Sequence, residues 1–138
     1  LVFFIIFLLL TDTPINQTVV LLPFIYALQQ IFAYSLGFFF AILNVFVRDI
    51  KEFTGILLQT WFWLTPIVYA PDILSDSVKT LLAFNPAYMF IEAYHDIFVF
   101  DKIPNLQTLA GLTIAVHGFL IMVYLIFRKL EKDIRDFI

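Results

Sequence analysis

Three long stretches without a single Asp, Glu, Lys or Arg constrain this chain more than any motif in it. They cover residues 13–47, 53–71 and 103–127. A helix rises 1.5 Å per residue, so about 20 apolar residues cross the roughly 30 Å hydrocarbon core of a bilayer. Each stretch is long enough to do so. The composition agrees: 62% of the 138 residues are hydrophobic and 14% charged, against roughly 45–50% and about 25% in soluble domains. The expected fold is an all-α integral membrane protein, a multi-span helical bundle forming one domain over residues 1–138.

The same composition excludes several function classes. Eight Lys and Arg with a net charge of −3 make no footprint for nucleic acid. Without cysteine there is no disulfide framework, thiolate metal site or cysteine nucleophile. The sequence has no GxxxxGK[ST] phosphate loop, no HExxH and no GxSxG, so no catalytic residue and no cofactor are expected on it.

Residues 1–10 are wholly apolar but too short to span, and read as the end of a truncated span. A signal peptide is the alternative, but no basic residues precede the run and no small-residue cleavage site follows it. The full spans are expected at 19–47, 53–71 and 109–127. Orientation follows the basic residues. Arg48 and Lys51 lie between the first two spans, and Arg128, Lys129, Lys132 and Arg135 lie in the tail 128–138, whereas Lys79 and Lys102 are the only basic residues elsewhere. That asymmetry puts the 48–52 connection and the C-terminus in the cytoplasm.

The stretch 72–108 is no ordinary loop. Its middle, LLAFNPAYMFIEAYHDIFVF, is apolar yet carries Glu92, His95 and Asp96. Asn85-Pro86 signals a turn or helix start, because proline suits a helix's first turn and disfavours helix in the residue before it. Two short helices, 75–84 and 87–99, are expected to dip into the outer leaflet and return, making 75–99 a re-entrant element before the last span. A full crossing is the alternative, and it would place the basic tail on the wrong side. Re-entrant backbone survives only against protein or a water-filled cavity, which hints at a pore. Glu92-x-x-His95 has the spacing of di-metal carboxylate bundles, but such sites need further copies, and no metal site is expected.

In the span 53–71, Trp61 and Trp63 lie about 12 and 15 Å in from Phe53, too deep for interfacial anchors. Helical spacing puts Gln59, Phe62, Trp63 and Pro66 on one face and Trp61 on the other. The first face either lines a passage for polar cargo or packs against a helix. Pro66 is expected to kink the span, and Trp63→Ala to disturb such a passage more than Trp61→Ala. In the last span Gly111, Ala115 and Gly118 form a small-residue stripe that admits another helix closely. His117 is either an interhelical hydrogen-bonder or a proton relay. In the tail, Glu131 and Arg135 make a helix-supporting pair, and Leu130, Ile134, Phe137 and Ile138 an apolar stripe for the bilayer or a partner.

Three segments in order, LGFFFAILNVFVRDIKEFTGILLQTWFWLTPIVYAPDIL, LLAFNPAYMFIEAYHDIF and the closing FRKLEKDIRDFI, resemble the permease subunits of polysaccharide and polyol-phosphate exporters. These belong to the type-2 membrane subunits of ATP-binding-cassette (ABC) transporters and include O-antigen, capsule and teichoic-acid exporters. NVFVRDI, FWLTPIVY and NP followed by IEAY carry the likeness. Where the family often has arginine after IEAY, this chain has His95. The resemblance implies the C-terminal part of a multi-pass permease in a bacterial cytoplasmic membrane, assembled as a homodimer around a channel for a lipid-linked glycan. ATP and Mg would be bound by a separate ATPase subunit. Arg48, Asp49, Lys51 and Glu52 would lie near that subunit, with Gln59, Phe62, Trp63 and Pro66 along the channel. Asn85, Pro86, Tyr88, Glu92, Tyr94 and His95 would form the re-entrant outer gate. The rivals are an ABC permease for drugs or small lipids, a proton-coupled secondary transporter using His117 or Glu92, and a membrane-embedded enzyme using Glu92, His95 and Asp96.

Overall fold

The computed structural model describes residues 17–65, 80, 82 and 84–137, and among these there is no strand. A short 3₁₀ turn, Gln17–Leu21, opens into α1, Leu22–Phe46, followed by α2, Ile50–Leu64; α3, Pro86–Phe98; and α4, Leu106–Phe137. Local chemistry sets the ends. Pro23 sits in the first turn of α1, where its missing N–H costs nothing. Val47 turns extended and closes that helix with its N–H on the Leu43 carbonyl. Asn105 precedes α4 and accepts from the N–H groups of Gln107 (2.9 Å) and Thr108 (3.3 Å), two of the donors that a helix start leaves unpaired.

Two helices are long and apolar enough to cross a membrane, Thr18–Phe46 and Leu106–Lys132. They pack side by side and parallel. At one end Leu22, Ile25 and Leu28 of α1 meet Leu109, Leu112 and Val116 of α4. At the other, Ile42 and Val45 meet Val123, Leu130 and Ile134. Parallel packing brings the exit of α1, with Arg48 and Lys51, to the end where α4 carries Arg128, Lys129, Lys132 and Arg135. The asymmetry read from the sequence thus becomes a single basic end of the bundle.

The tail does not separate from the last span. Helix α4 continues for 32 residues, about 48 Å, and Leu130 and Ile134 turn onto α1. The stripe expected to face the bilayer or a partner is, at these two positions, already covered by the chain's own first helix. Arg135 and Glu131 pair at 3.5 Å, one turn apart.

Helices α2 and α3 together run the other way. From the Arg48–Asp49 turn α2 returns along α1 until Trp61 meets Phe32, with ring centroids 6.1 Å apart. There it stops. Phe32 is ten residues into α1, about 15 Å along its axis. Then α3 starts beside that point and continues outward: Phe90 lies 6.0 Å from Phe32, Tyr94 bonds Gln29, and Ile97 shares a cluster with Leu22 and Ile25. Two half-length helices, of 15 and 13 residues, thus lie nearly end to end along one long helix. The expected continuous span 53–71 with a kink differs from this. The helix ends at Leu64 because Thr65, which precedes Pro66, adopts an extended conformation (φ −96°, ψ 119°), as proline imposes on its predecessor. Pro66 itself, residues 66–71, most of 75–84 and the segment 1–10 lie outside the described residues.

The bundle buries little and exposes much. Ile25 and Val123 are fully buried, while Val20, Trp63, Ile114 and Leu125 are at least 60% exposed, the surface of a helix bundle that faces lipid or further helices. Several of its hydroxyls are satisfied within their own helices. Ser35, Thr54, Thr60 and Thr113 each donate to the carbonyl four residues back, at 2.6–2.8 Å. His117 Nδ1 lies 2.8 Å from the Thr113 carbonyl; a carbonyl only accepts, so that nitrogen donates. A side chain that pairs with its own helix needs no water, which suits hydrocarbon surroundings.

Candidate functional site

The break between α2 and α3 poses a chemical problem that its residues solve. A helix that stops at mid-depth leaves carbonyls unpaired, and one that starts there leaves N–H groups unpaired, each costing several kcal/mol without water. Asn85 caps α3 by accepting from Ala87 N–H at 3.0 Å. The same oxygen accepts from the Trp61 indole N–H at 2.9 Å. Its amide nitrogen donates to the Thr65 hydroxyl at 3.1 Å, and that hydroxyl donates to the Trp61 carbonyl at 2.8 Å. Thr65 is 5% exposed. One side-chain amide therefore holds the end of α2 and the start of α3 together.

Around this junction the rings of Trp61, Phe90 and Phe119 lie 6.0–6.3 Å from Phe32, so one ring on α1 touches an aromatic on every other helix. Trp61 thus faces inward. Its indole is a structural tie, so Trp61→Ala removes a ring contact and a hydrogen bond together. Sequence spacing put Trp61 opposite Trp63 but could not supply its partner Asn85, 24 residues away.

Of the proposed lining residues, Gln59, Phe62 and Trp63 lie on the exposed surface of α2. Trp63 is 73% and Phe62 57% exposed, their rings edge to face at 6.0 Å, and Gln59 is exposed beside them. Phe62 also borders a shallow groove with Leu58, Ala87 and Ile91 where α2 meets α3. This face presents an amide and two aromatic rings away from the bundle, free to meet cargo, lipid or another chain.

The outer-gate candidates divide. Asn85 and Pro86 form the start of α3. Tyr88 is buried. Tyr94 is half-buried; its hydroxyl donates to Gln29 Oε1 at 2.7 Å and its ring stacks on Phe98. Tyr94→Phe is expected to cost about 0.5–1 kcal/mol with helix content unchanged; denaturant unfolding of the protein containing this chain measures it, and no loss would mean the bond contributes nothing. Glu92 and Asp96, one turn apart, border a small pocket of about 90 Å³ with Asn105 and Thr108 at the start of α4, while His95 does not line it. Among the described residues no group of three or more His, Cys, Asp and Glu is placed to hold a metal.

The small-residue stripe is open. A Cβ built on Gly111 or Gly118 meets nothing within 4 Å, and Gly111 and Ala115 border an apolar groove with Phe32, Met89 and Phe119. No helix among the described residues fills it. At the other end Arg48, Asp49, Lys51 and Glu52 are all exposed at the α1–α2 turn and its start into α2.

Comparison with known proteins adds what geometry does not. A family model described as ABC-2 type transporter matches residues 1–99. An O-antigen export system permease protein RfbA of Myxococcus xanthus is 33% identical over 96 residues, 68% of this chain and 37% of that protein. Two proteins of the same name from Klebsiella pneumoniae are 31% identical over 87 residues (63% of this chain, 34% of the relative) and 28% identical over 110 residues (80% and 42%). The chain thus spans between about a third and two-fifths of the length of these relatives.

Proposed function

The chain belongs to the ABC-2 type transporter family, and on that premise we propose that it is part of a permease subunit that exports a lipid-linked polysaccharide or polyol-phosphate polymer. The observation that carries the substrate class is the likeness, over 63–80% of this chain, to permeases named for O-antigen export. In this reading the subunit is a transport element and not a catalyst. Hydrolysis of ATP takes place on a separate ATPase, and two copies of the permease enclose the path. The subunit sits in a bacterial cytoplasmic membrane with the basic end of α1 and α4 in the cytoplasm, in line with the excess of Lys and Arg there.

The physical properties of the chain suit that role. The exposed face of α2 offers Gln59 for hydrogen bonds and Phe62 and Trp63 as flat apolar surfaces, and the C–H faces of sugars pack on such rings. The half-length helix α3 gives the outer half of the path an element separate from the inner half. Broken helices are tolerated at membrane depth where they are buried in protein or line a cavity.

The test is export by the full-length permease with its ATPase in sealed vesicles loaded with a lipid-linked polymer. Transport is expected to need ATP hydrolysis and to survive an ionophore that collapses the proton gradient. Loss with the ionophore while ATP is hydrolysed normally would point to the proton-coupled alternative. A triple substitution of Glu92, His95 and Asp96 to neutral residues is expected to leave export within about threefold, because exposed or half-exposed polar groups away from a catalytic step carry little rate. Abolished export with intact assembly would favour a chemical role for these three.

A further inference from the structure

We propose that Asn85 is a positioning residue, a latch that ties the end of α2 to the start of α3 so that displacement of α2 at its Arg48–Glu52 end is carried to the outer half of the path. The proposal rests on the permease reading above. A continuous helix passes a displacement along its axis; where the axis ends, side-chain ties between the two ends give the displacement a direct route across. Here the break lies between Leu64 and Pro86, and the Asn85 side chain bridges it with hydrogen bonds to Trp61, Thr65 and Ala87.

The number of bonds separates a latch from a cap. Capping α3 needs one acceptor toward Ala87 N–H, which serine supplies about as well as asparagine. The second bond accepted by Oδ1 and the one donated by Nδ2 both go to α2, and neither serves the start of α3. The junction is also guided: Trp61 and Phe90, one from each half-helix, rest on the same Phe32 ring, so the tied ends share one point of support on α1.

Two substitutions isolate the tie. Asn85→Ser keeps the cap but is too short to reach Trp61 and Thr65, and Trp61→Phe keeps a ring against Phe32 but has no N–H to donate. Single labels at Ile56→Cys on α2 and Val99→Cys just past α3, both exposed, placed in a full-length permease freed of any other cysteine and assembled with its ATPase, report each half-helix. In the parent complex both labels are expected to change reactivity when ATP is added. In either latch variant the α2 label still responds and the Val99→Cys label no longer does, while ATP hydrolysis persists and export falls about fivefold or more, the size of an ordinary coupling between sites. If both labels respond in the variants and export is unchanged, the latch is overturned and the permease reading stands. If Asn85→Ser behaves as the parent while Asn85→Ala loses α3, Asn85 is a cap alone and the latch is again overturned. If neither label responds in the parent complex, the ATP-driven reading fails and takes the latch with it.

Discussion

Phe32→Ala is expected to destabilise the bundle by about 2–3 kcal/mol, less than the roughly 3–5 kcal/mol of a fully buried ring, because Phe32 is only partly buried. The ring lies midway along α1 and meets Trp61 of α2, Phe90 of α3 and Phe119 of α4. Within a bilayer helices gain little from hiding apolar surface, since lipid is equally apolar, and they associate through close packing and interhelical hydrogen bonds. Removing this ring leaves three aromatic edges facing a void at once. Phe32→Leu refills part of the volume and is expected to recover about half the loss. Unfolding of the full-length permease in mixed micelles, followed by tryptophan fluorescence, measures both; a cost of Phe32→Ala under about 1 kcal/mol would show that the ring is peripheral.

How far the sequence foretold this arrangement depends on the range of the interaction concerned. Helices α1 and α4 were legible because uncharged runs of that length have one outcome in hydrocarbon, and their shared polarity was legible because basic residues cluster at Arg48–Lys51 and Arg128–Arg135. The start of α3 was legible too, since Asn85-Pro86 is a local signal, and Asn85 does cap that helix. The end of α2 was half legible: Pro66 announced a disturbance, but whether a proline kinks a helix or ends it is decided by what receives the freed backbone groups. The Thr65 hydroxyl and N–H take up the Trp61 and Phe62 carbonyls, and that hydroxyl is held in turn by Asn85, 20 residues away, a pairing that leaves no periodic trace. For the same reason Trp61 and Trp63 looked alike in depth and differed only in facing, whereas the structure gives one a hydrogen bond and a ring contact and leaves the other open. Tyr94 likewise read as a rim residue, because nothing local connects it to Gln29, 65 positions earlier. Short-range chemistry marks where helices begin and end; pairings between helices are what the chain's order conceals.

Reversing both charges at the basic turn, Arg48→Glu with Lys51→Glu, is the second substitution with a large expected effect, and it acts on coupling instead of on folding. Both side chains are exposed at the α1–α2 turn, and substitutions at such positions shift stability by no more than about 0.5 kcal/mol. Their surroundings are apolar: Phe46, Val47 and Phe53 are all more than a third exposed, so the turn presents charge set among uncovered hydrophobic side chains, a surface suited to contact with another protein. Across an interface a like-charge clash costs several kcal/mol, and each 1.4 kcal/mol is tenfold in affinity. Substrate-stimulated ATP hydrolysis and export are therefore expected to fall together by about tenfold or more, with the permease still monodisperse in detergent and its thermal midpoint within a few degrees of the parent. Charge reversal at Lys102, on the opposite end and resting over the Phe100 ring, is the control and should leave stimulation unchanged. Full stimulation in the double reversal would remove the turn from the contact with the ATPase. The latch variants should give the opposite pattern, hydrolysis retained and export lost. The proposed motor contact at one end of α2 and the proposed transmission at the other are thus separable by which of the two activities fails first.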